Sequence, residues 1–324
     1  VSGAGLFCHK NLLCPLFLVF LFKKVACMLY RYKFLLELLN RFPGGLGSTR
    51  LHKMMFICIE ELNASAVYDF VPYKYGGFSF VLRQDLDTLQ RQGWVSYEEK
   101  TTGWMLAKAP LSFELKREDR QAIEELADRY GAYSRSDLIR HTYIRSPYHA
   151  IRSEVAESYL SKEDLERVHA ARPAASPLTI PILFTIGYEG ISLDTYLNKL
   201  LQHSIALLCD VRKNAFSMKW GFSLRQLKLA CEDVGIEYIH LPDLGINADQ
   251  RQHLETQADR DELFMRYTQD TLPARAVVLN TLIQHLQTKQ RIAITCFERD
   301  VCQCHRGALA DTLAKRVTLK VIHL

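Results

Sequence analysis

Between residues 181 and 324 the short apolar runs "ILFTIG", "IALLCD", "IEYIH" and "RIAITC" alternate with segments of helical period, and "TLKVIHL" closes the chain. No other feature constrains the fold as strongly. Of these, "ILFTIG", "IALLCD" and "RIAITC", short and without polar alternation, read as strands buried on both faces. Strands joined through helices pair in parallel by right-handed crossovers. An α/β domain is therefore expected over 181–324, a mainly parallel sheet with helices on both faces. "SLDTYLNKLLQHS", capped by Ser192, and "SLRQLKLACEDVG" are two of its helices.

Ligands of open parallel sheets bind beyond the carboxyl ends of the strands. The polar residues of this region fall there: Gly187, Tyr188 and Glu189 after the first strand, Asp210 and Arg212 after the second, Pro242 and Asp243 after the third, Cys296 and Glu298 after the fourth. Cys304, His305 and Arg306 then stand at the start of the next helix, where backbone N–H groups and the helix dipole favour an anion. Asp210 and Glu298 suit acid–base work. Arg212 and Arg306 suit a phosphate. Tyr188 and Phe216 could stack on a base. Each has a plainer reading, in which the carboxylates pair with the arginines and the aromatics pack.

Cys304 beside His305 and Arg306 has the surroundings of a thiolate nucleophile, or of a small buried hydrophobe. Cys296, Cys302, Cys304 and His305 offer four metal-binding atoms, but all within ten residues. Structural zinc sites bring two ligand pairs from separate segments, so no metal is expected. "GYEG" lacks the dinucleotide-binding spacing and no P-loop is present, so no cofactor is expected either. Gly187, Gly190 and Gly245 flank strand ends, where a turn or a close backbone approach requires glycine.

The preceding residues have a different texture. Residues 28–110 read as helix, helix, an aromatic extended stretch, helix and a hairpin turning near "KTTG", the order of an α+β winged-helix-like module. Residues 111–180 form a charged helical connector ending in the linker "ARPAASPLTIP". In it Arg135, Arg140, Arg145 and Arg152 alternate with Tyr143, Tyr148 and His149, a pattern that suits nucleic acid and equally a solvated face. Residues 1–27 carry the apolar run "LLCPLFLVFLF", too short to span a bilayer, and are expected to lie upstream of a true start at Met28. Nine cysteines without disulfide-like spacing point to reduced thiols and a cytoplasmic protein, and no membrane partner is expected. A net charge of +5 permits a nucleic-acid partner without requiring one.

"TIGYEG", "DVRKNAFS", "GIEYIHLPDLG" and "CFE…CHR" resemble, in order, the motifs of the bacterial and archaeal proteins grouped as domain of unknown function 488. "MLYRYKFLLELLNRF…RLHKMMFICIEE…YDFVPYKYGGFSF" is similar to the N-terminal extension of the longer members. The resemblance implies a compact α/β domain whose shared polar residues are here Tyr188, Asp210, Arg212, Ser217, Glu298, Cys304, His305 and Arg306. It implies no settled activity.

The expectation that follows is a hydrolytic enzyme acting on nucleic acid or a nucleotide, with removal of a base as one such reaction. Asp210 and Glu298 would do acid–base work, Arg212, Ser217, Arg306 and Gly187 would hold phosphate, and Tyr188 and His305 would position the substrate. The alternatives are a DNA-binding regulator, able to act as a homodimer, whose α/β domain senses an anion, and a thiol enzyme centred on Cys304.

Overall fold

The computed structural model describes residues 28–99, 103–107, 113–173, 179–247, 249–251 and 255–324. The apolar run before Met28, the "KTT" of the hairpin turn and the middle of the linker lie outside the described residues. In chain order the first elements are α1 (Tyr30–Arg41), α2 (Ser48–Glu60), β1 (Val71–Tyr73), β2 (Gly76–Phe78), α3 (Phe80–Arg91), β3 (Val95–Glu98), β4 (Gly103–Leu106), α4 (Arg117–Tyr130), α5 (Arg135–Arg145) and α6 (Lys162–Ala170). The α/β region follows with β5 (Ile182–Gly187), α7 (Leu193–Gln202), β6 (Leu207–Asp210), α8 (Leu224–Asp233), β7 (Glu237–His240), α9 (Gln257–Arg266), α10 (Ala276–Lys289), β8 (Arg291–Cys296), α11 (His305–Arg316) and β9 (Lys320–His323). Among the described residues no helix is long and apolar enough to cross a membrane.

The described chain divides into two compact units that interleave in sequence, 28–67 with Gln84–Ala132 and Tyr68–Arg83 with Tyr133–Leu324. In the first, α1 and α2 bury Phe34, Leu35, Leu38, Leu39, Leu51 and Met55. The antiparallel pair β3–β4 packs against both helices. The first turn of α2 starts after Gly47, and Ser48 does not cap it; its hydroxyl instead accepts from the indole N–H of Trp104 at 3.1 Å. Asp85 receives Arg31 at 2.6 Å, and Asp119 receives the Tyr30 hydroxyl and the backbone N–H of Ser65.

In the second unit five strands form one wholly parallel sheet in the order β7-β6-β8-β5-β9. Successive side chains on a strand face opposite ways, and both sets here are apolar. Phe184, Leu208 and Ala293 meet Tyr196, Leu197 and Leu200 of α7 and Leu227 and Ala230 of α8 on one face. Leu183, Leu207, Cys209, Ile292 and Ile294 meet Leu279, Leu282 and Leu286 of α10 and Leu309 and Leu313 of α11 on the other. Burial on both sides is what a parallel sheet requires.

Ser192 caps α7 by accepting from the N–H of Thr195 at 3.0 Å. The aromatic extended stretch is the hairpin β1–β2, and Gly76 holds its turn at φ +87°. Val71 of that hairpin joins the core against α7 and α8. The segment that follows β2 is held by Asp194, which is fully buried and accepts from the Ser79 hydroxyl at 2.7 Å and from the N–H groups of Phe80 and Val81 at 2.8 and 3.1 Å.

Candidate functional site

The parallel topology brings the carboxyl ends of β5, β6 and β8 to one edge, and the loops that leave them enclose a cavity of about 630 Å3. Tyr188, Arg212, Ser217, Cys296 and Glu298 line it, with Phe216 and Phe297. Lys213, Asn214, Met218, Lys219 and Ile246 complete the wall. Phe216 and Met218 are 67% and 93% exposed, so the mouth carries apolar side chains that the fold itself does not bury.

The loop after β6 is pinned at both ends. Ser223 precedes α8 but makes no cap bond. Its hydroxyl instead accepts from the N–H of Ser217 and donates to the Ser217 carbonyl, both at 3.1 Å. Lys219 reaches back to the Tyr188 carbonyl at 2.9 Å. Burial lowers the pKa of that amine, the Glu189 carboxylate opposing the shift.

Asp210 lies behind the wall. It is fully buried and its carboxylate accepts from Arg212 Nε, from Arg212 Nη2 at 2.5 Å, from the Arg212 backbone N–H at 3.1 Å and from the Tyr238 hydroxyl at 2.7 Å. Arg212 Nη1 donates to the Tyr188 hydroxyl at 2.7 Å and to the Phe222 carbonyl at 2.9 Å. Four of the five guanidinium N–H groups are thereby taken. Burial disfavours the charge on Arg212, but the hydrogen bonds and charge of Asp210 outweigh it and hold its pKa above the ordinary range. Tyr188 is stacked on Phe222, ring centroids 4.3 Å apart, and meets Phe297 edge-on at 5.3 Å. Asp210, Arg212, Tyr188 and Tyr238 therefore form one buried network whose Tyr188 and Arg212 side reaches the cavity.

Glu298 is the one acid among the described residues lining this cavity. Burial raises its carboxyl pKa, and the neighbouring Cys296 thiol, which donates to Oε2 at 3.2 Å, adds to the rise. Beneath it Cys296, Cys304 and His305 are each at most 2% exposed. His305 Nδ1 lies 3.8 Å from the sulfur of Cys296 and 3.9 Å from that of Cys304, while Nε2 donates to the Val211 carbonyl at 3.1 Å. Burial pushes the Cys304 thiol well up, with Cys296 adding to the shift. Cys302 is exposed and stands apart from this group. The six described cysteines are all free thiols.

Other expected residues are not drawn into the cavity. Arg306, 1% exposed, donates to the carbonyls of Glu298 and Arg299 at 2.5 and 2.8 Å and so braces the loop after β8 from the far side. Gly187 faces the same loop: a Cβ there would sit 1.8 Å from the Glu298 carbonyl oxygen, so the chain itself fills the space a phosphate would need. Arg135, Arg140 and Arg145 are exposed on α5. Arg152 packs against Gly235, ahead of β7 and hence at the opposite edge of the sheet.

Sequence reasoning did not single out Lys213, Lys219, Met218 or Phe297 as site residues. The signal for Lys213, Met218 and Lys219 was the length of the segment between β6 and α8, which holds exposed Phe216 and Met218, whereas Phe297 follows Cys296 at the end of β8.

Residues 192–313 match the family model described as domain of unknown function DUF488. No match to the chain is found among the curated proteins or among the solved structures.

Proposed function

Since residues 192–313 belong to the DUF488 domain family, whose name assigns no reaction, we propose a function from the chemistry of the cavity: hydrolytic processing of nucleic acid or a nucleotide. The observation that carries this reading is the juxtaposition of Glu298 on the wall with exposed Phe216 and Met218 at the mouth and with Lys213, Lys219 and Arg212 around it. Apolar and aromatic surfaces suit the face of a base, cations suit its phosphate, and a carboxylate beside them suits proton transfer to or from water.

The reading divides the roles differently from a pair of catalytic carboxylates. Asp210 is saturated by Arg212 and Tyr238 and acts by fixing the position of Arg212. Glu298 takes the acid–base role. Phe216 stacks on the base, a role its exposure supports, and Ser217 keeps the loop that carries Phe216 in place. A base inside a duplex would have to be flipped out to reach the cavity. The exposed Arg135, Arg140 and Arg145 of α5 suit contact with the phosphates of a longer strand.

The test is incubation of the full chain with labelled plain and base-modified DNA and RNA, followed by heating in alkali to reveal abasic sites and breaks. Cleavage by the wild type that Glu298→Gln abolishes is the expected outcome. Salt-dependent binding with no cleavage of any substrate would overturn the hydrolytic reading in favour of a ligand-sensing, DNA-binding regulator.

A further inference from the structure

We propose that Cys296, Cys304 and His305 form a binding site for a thiophilic divalent cation of the zinc class, with Glu298 beside its open coordination position. The three ligand atoms, two sulfurs and His305 Nδ1, lie within 4.8 Å of one another. The two sulfur–nitrogen separations, 3.8 and 3.9 Å, are close to what a tetrahedral zinc site imposes. Zinc bond lengths of about 2.3 Å to sulfur and about 2.0 Å to nitrogen put tetrahedral neighbours roughly 3.5 Å apart.

The tautomer of His305 is a second and independent observation. The Val211 carbonyl can only accept, so Nε2 carries the proton and Nδ1 presents a lone pair to the two sulfurs. A ligand histidine is held in this way, its second ring nitrogen donating to a backbone carbonyl.

Three elements supply the parts. Cys296 ends β8, Cys304 follows the 3-10 turn Val301–Gln303, and His305 opens α11. That turn folds the chain back so that residues eight and nine positions beyond Cys296 return to it, with Cys302 directed outward and exposed. The ligand set therefore differs from a contiguous cysteine knuckle. Three protein ligands and one open position are the pattern of a site that holds a water or a substrate atom. The open side is that of Glu298, whose Oε2 is 3.2 Å from the Cys296 sulfur and which, with Cys296, lines the cavity. Two soft ligands and an imidazole select zinc over magnesium or calcium.

The assignment concerns binding and is tested without turnover. The full chain, reduced and stripped with chelator, is titrated with Co2+ in the absence of oxygen. The expected result is a saturable rise of thiolate-to-cobalt charge transfer and of intense tetrahedral d–d bands at one ion per chain, displaced by Zn2+. C296S and C304S should each lose or strongly weaken the bands, while C302S keeps them. Far-ultraviolet circular dichroism of each metal-free variant checks that it is folded. The same folded variants should lose the rise in Tm that Zn2+ gives the wild type. A folded wild type without tetrahedral bands, or bands that survive in both C296S and C304S, would overturn the site.

Discussion

Arg212 turns back on the end of its own strand so that Nε bridges both oxygens of Asp210, at 2.8 and 3.1 Å, while Nη2 closes on Oδ2 at 2.5 Å. The two residues thus neutralise each other with almost no access to water, side-chain exposures being 5% and 0%. Removing one member leaves the other's charge buried, a change that costs about 3–5 kcal/mol. Asp210→Asn should therefore lower unfolding stability by about that amount in urea. Glu298→Gln, which takes away a carboxylate already disfavoured by burial, should shift it by no more than about 1 kcal/mol.

Phe216 separates binding from folding. Two-thirds of its surface is in solvent, so Phe216→Ala should leave Tm unchanged. Stacking on a base contributes about 1–3 kcal/mol. Affinity for a short fluorescent oligonucleotide should accordingly fall by about tenfold, and an unchanged affinity would remove Phe216 from the ligand site.

Gly187 is a position where a single methyl group is not tolerated. The nearest obstacle to a Cβ is backbone, the Glu298 carbonyl, which also accepts from Arg306. Gly187→Ala must displace the loop after β8, and with it Glu298. Reduced Tm together with loss of whatever activity Glu298 supports is the expected pair of effects. Gly190→Ala is the useful contrast: no atom lies within 4 Å, and only its φ of +78° opposes the change.

Lys53, wholly buried in the first unit, sets a pH dependence. Burial lowers its pKa from 10.5 to about 7. In the unfolded chain the amine still binds its proton up to about 10.5, so between those values the unfolded state holds more protons and stability rises with pH. The contribution is fully present above about pH 10.5 and falls away as pH drops towards 7. Lys53→Met should flatten the profile of stability against pH over this window. It should stabilise the protein at pH 7 by a few kcal/mol, about 1.4 kcal/mol for each tenfold difference in proton affinity. Chemical denaturation at pH 7 and pH 10 measures both effects.

The sheet was legible because strands buried on both faces leave unbroken apolar runs such as "ILFTIG" and "RIAITC", and because Ser192 marks a helix start by its own hydrogen bond. The edge that gathers Tyr188, Arg212 and Glu298 follows from parallel pairing alone. What local pattern could not reveal is the direction each side chain takes once there. Asp210 stays behind the cavity wall, closed on the Arg212 guanidinium that reaches the cavity, and Arg306 crosses beneath a loop to brace it. Cys296, Cys304 and His305 meet only because a 3-10 turn reverses the chain. Nor does any periodicity announce that Tyr68–Arg83 belongs with strands more than a hundred residues later.

That last arrangement governs the order in which the protein can be made. The ribosome releases β1, β2 and Ser79 long before α7 exists, so Val71 has no core to enter and the N–H groups of Phe80 and Val81 have no Asp194 to receive them. When Asp194 does emerge, its carboxylate is buried against a segment synthesised over a hundred residues earlier. The second unit is therefore expected to complete itself only late in synthesis. A fragment beginning at the linker would expose the apolar surface that Val71 covers and leave a carboxylate without the hydroxyl and amides that hold it.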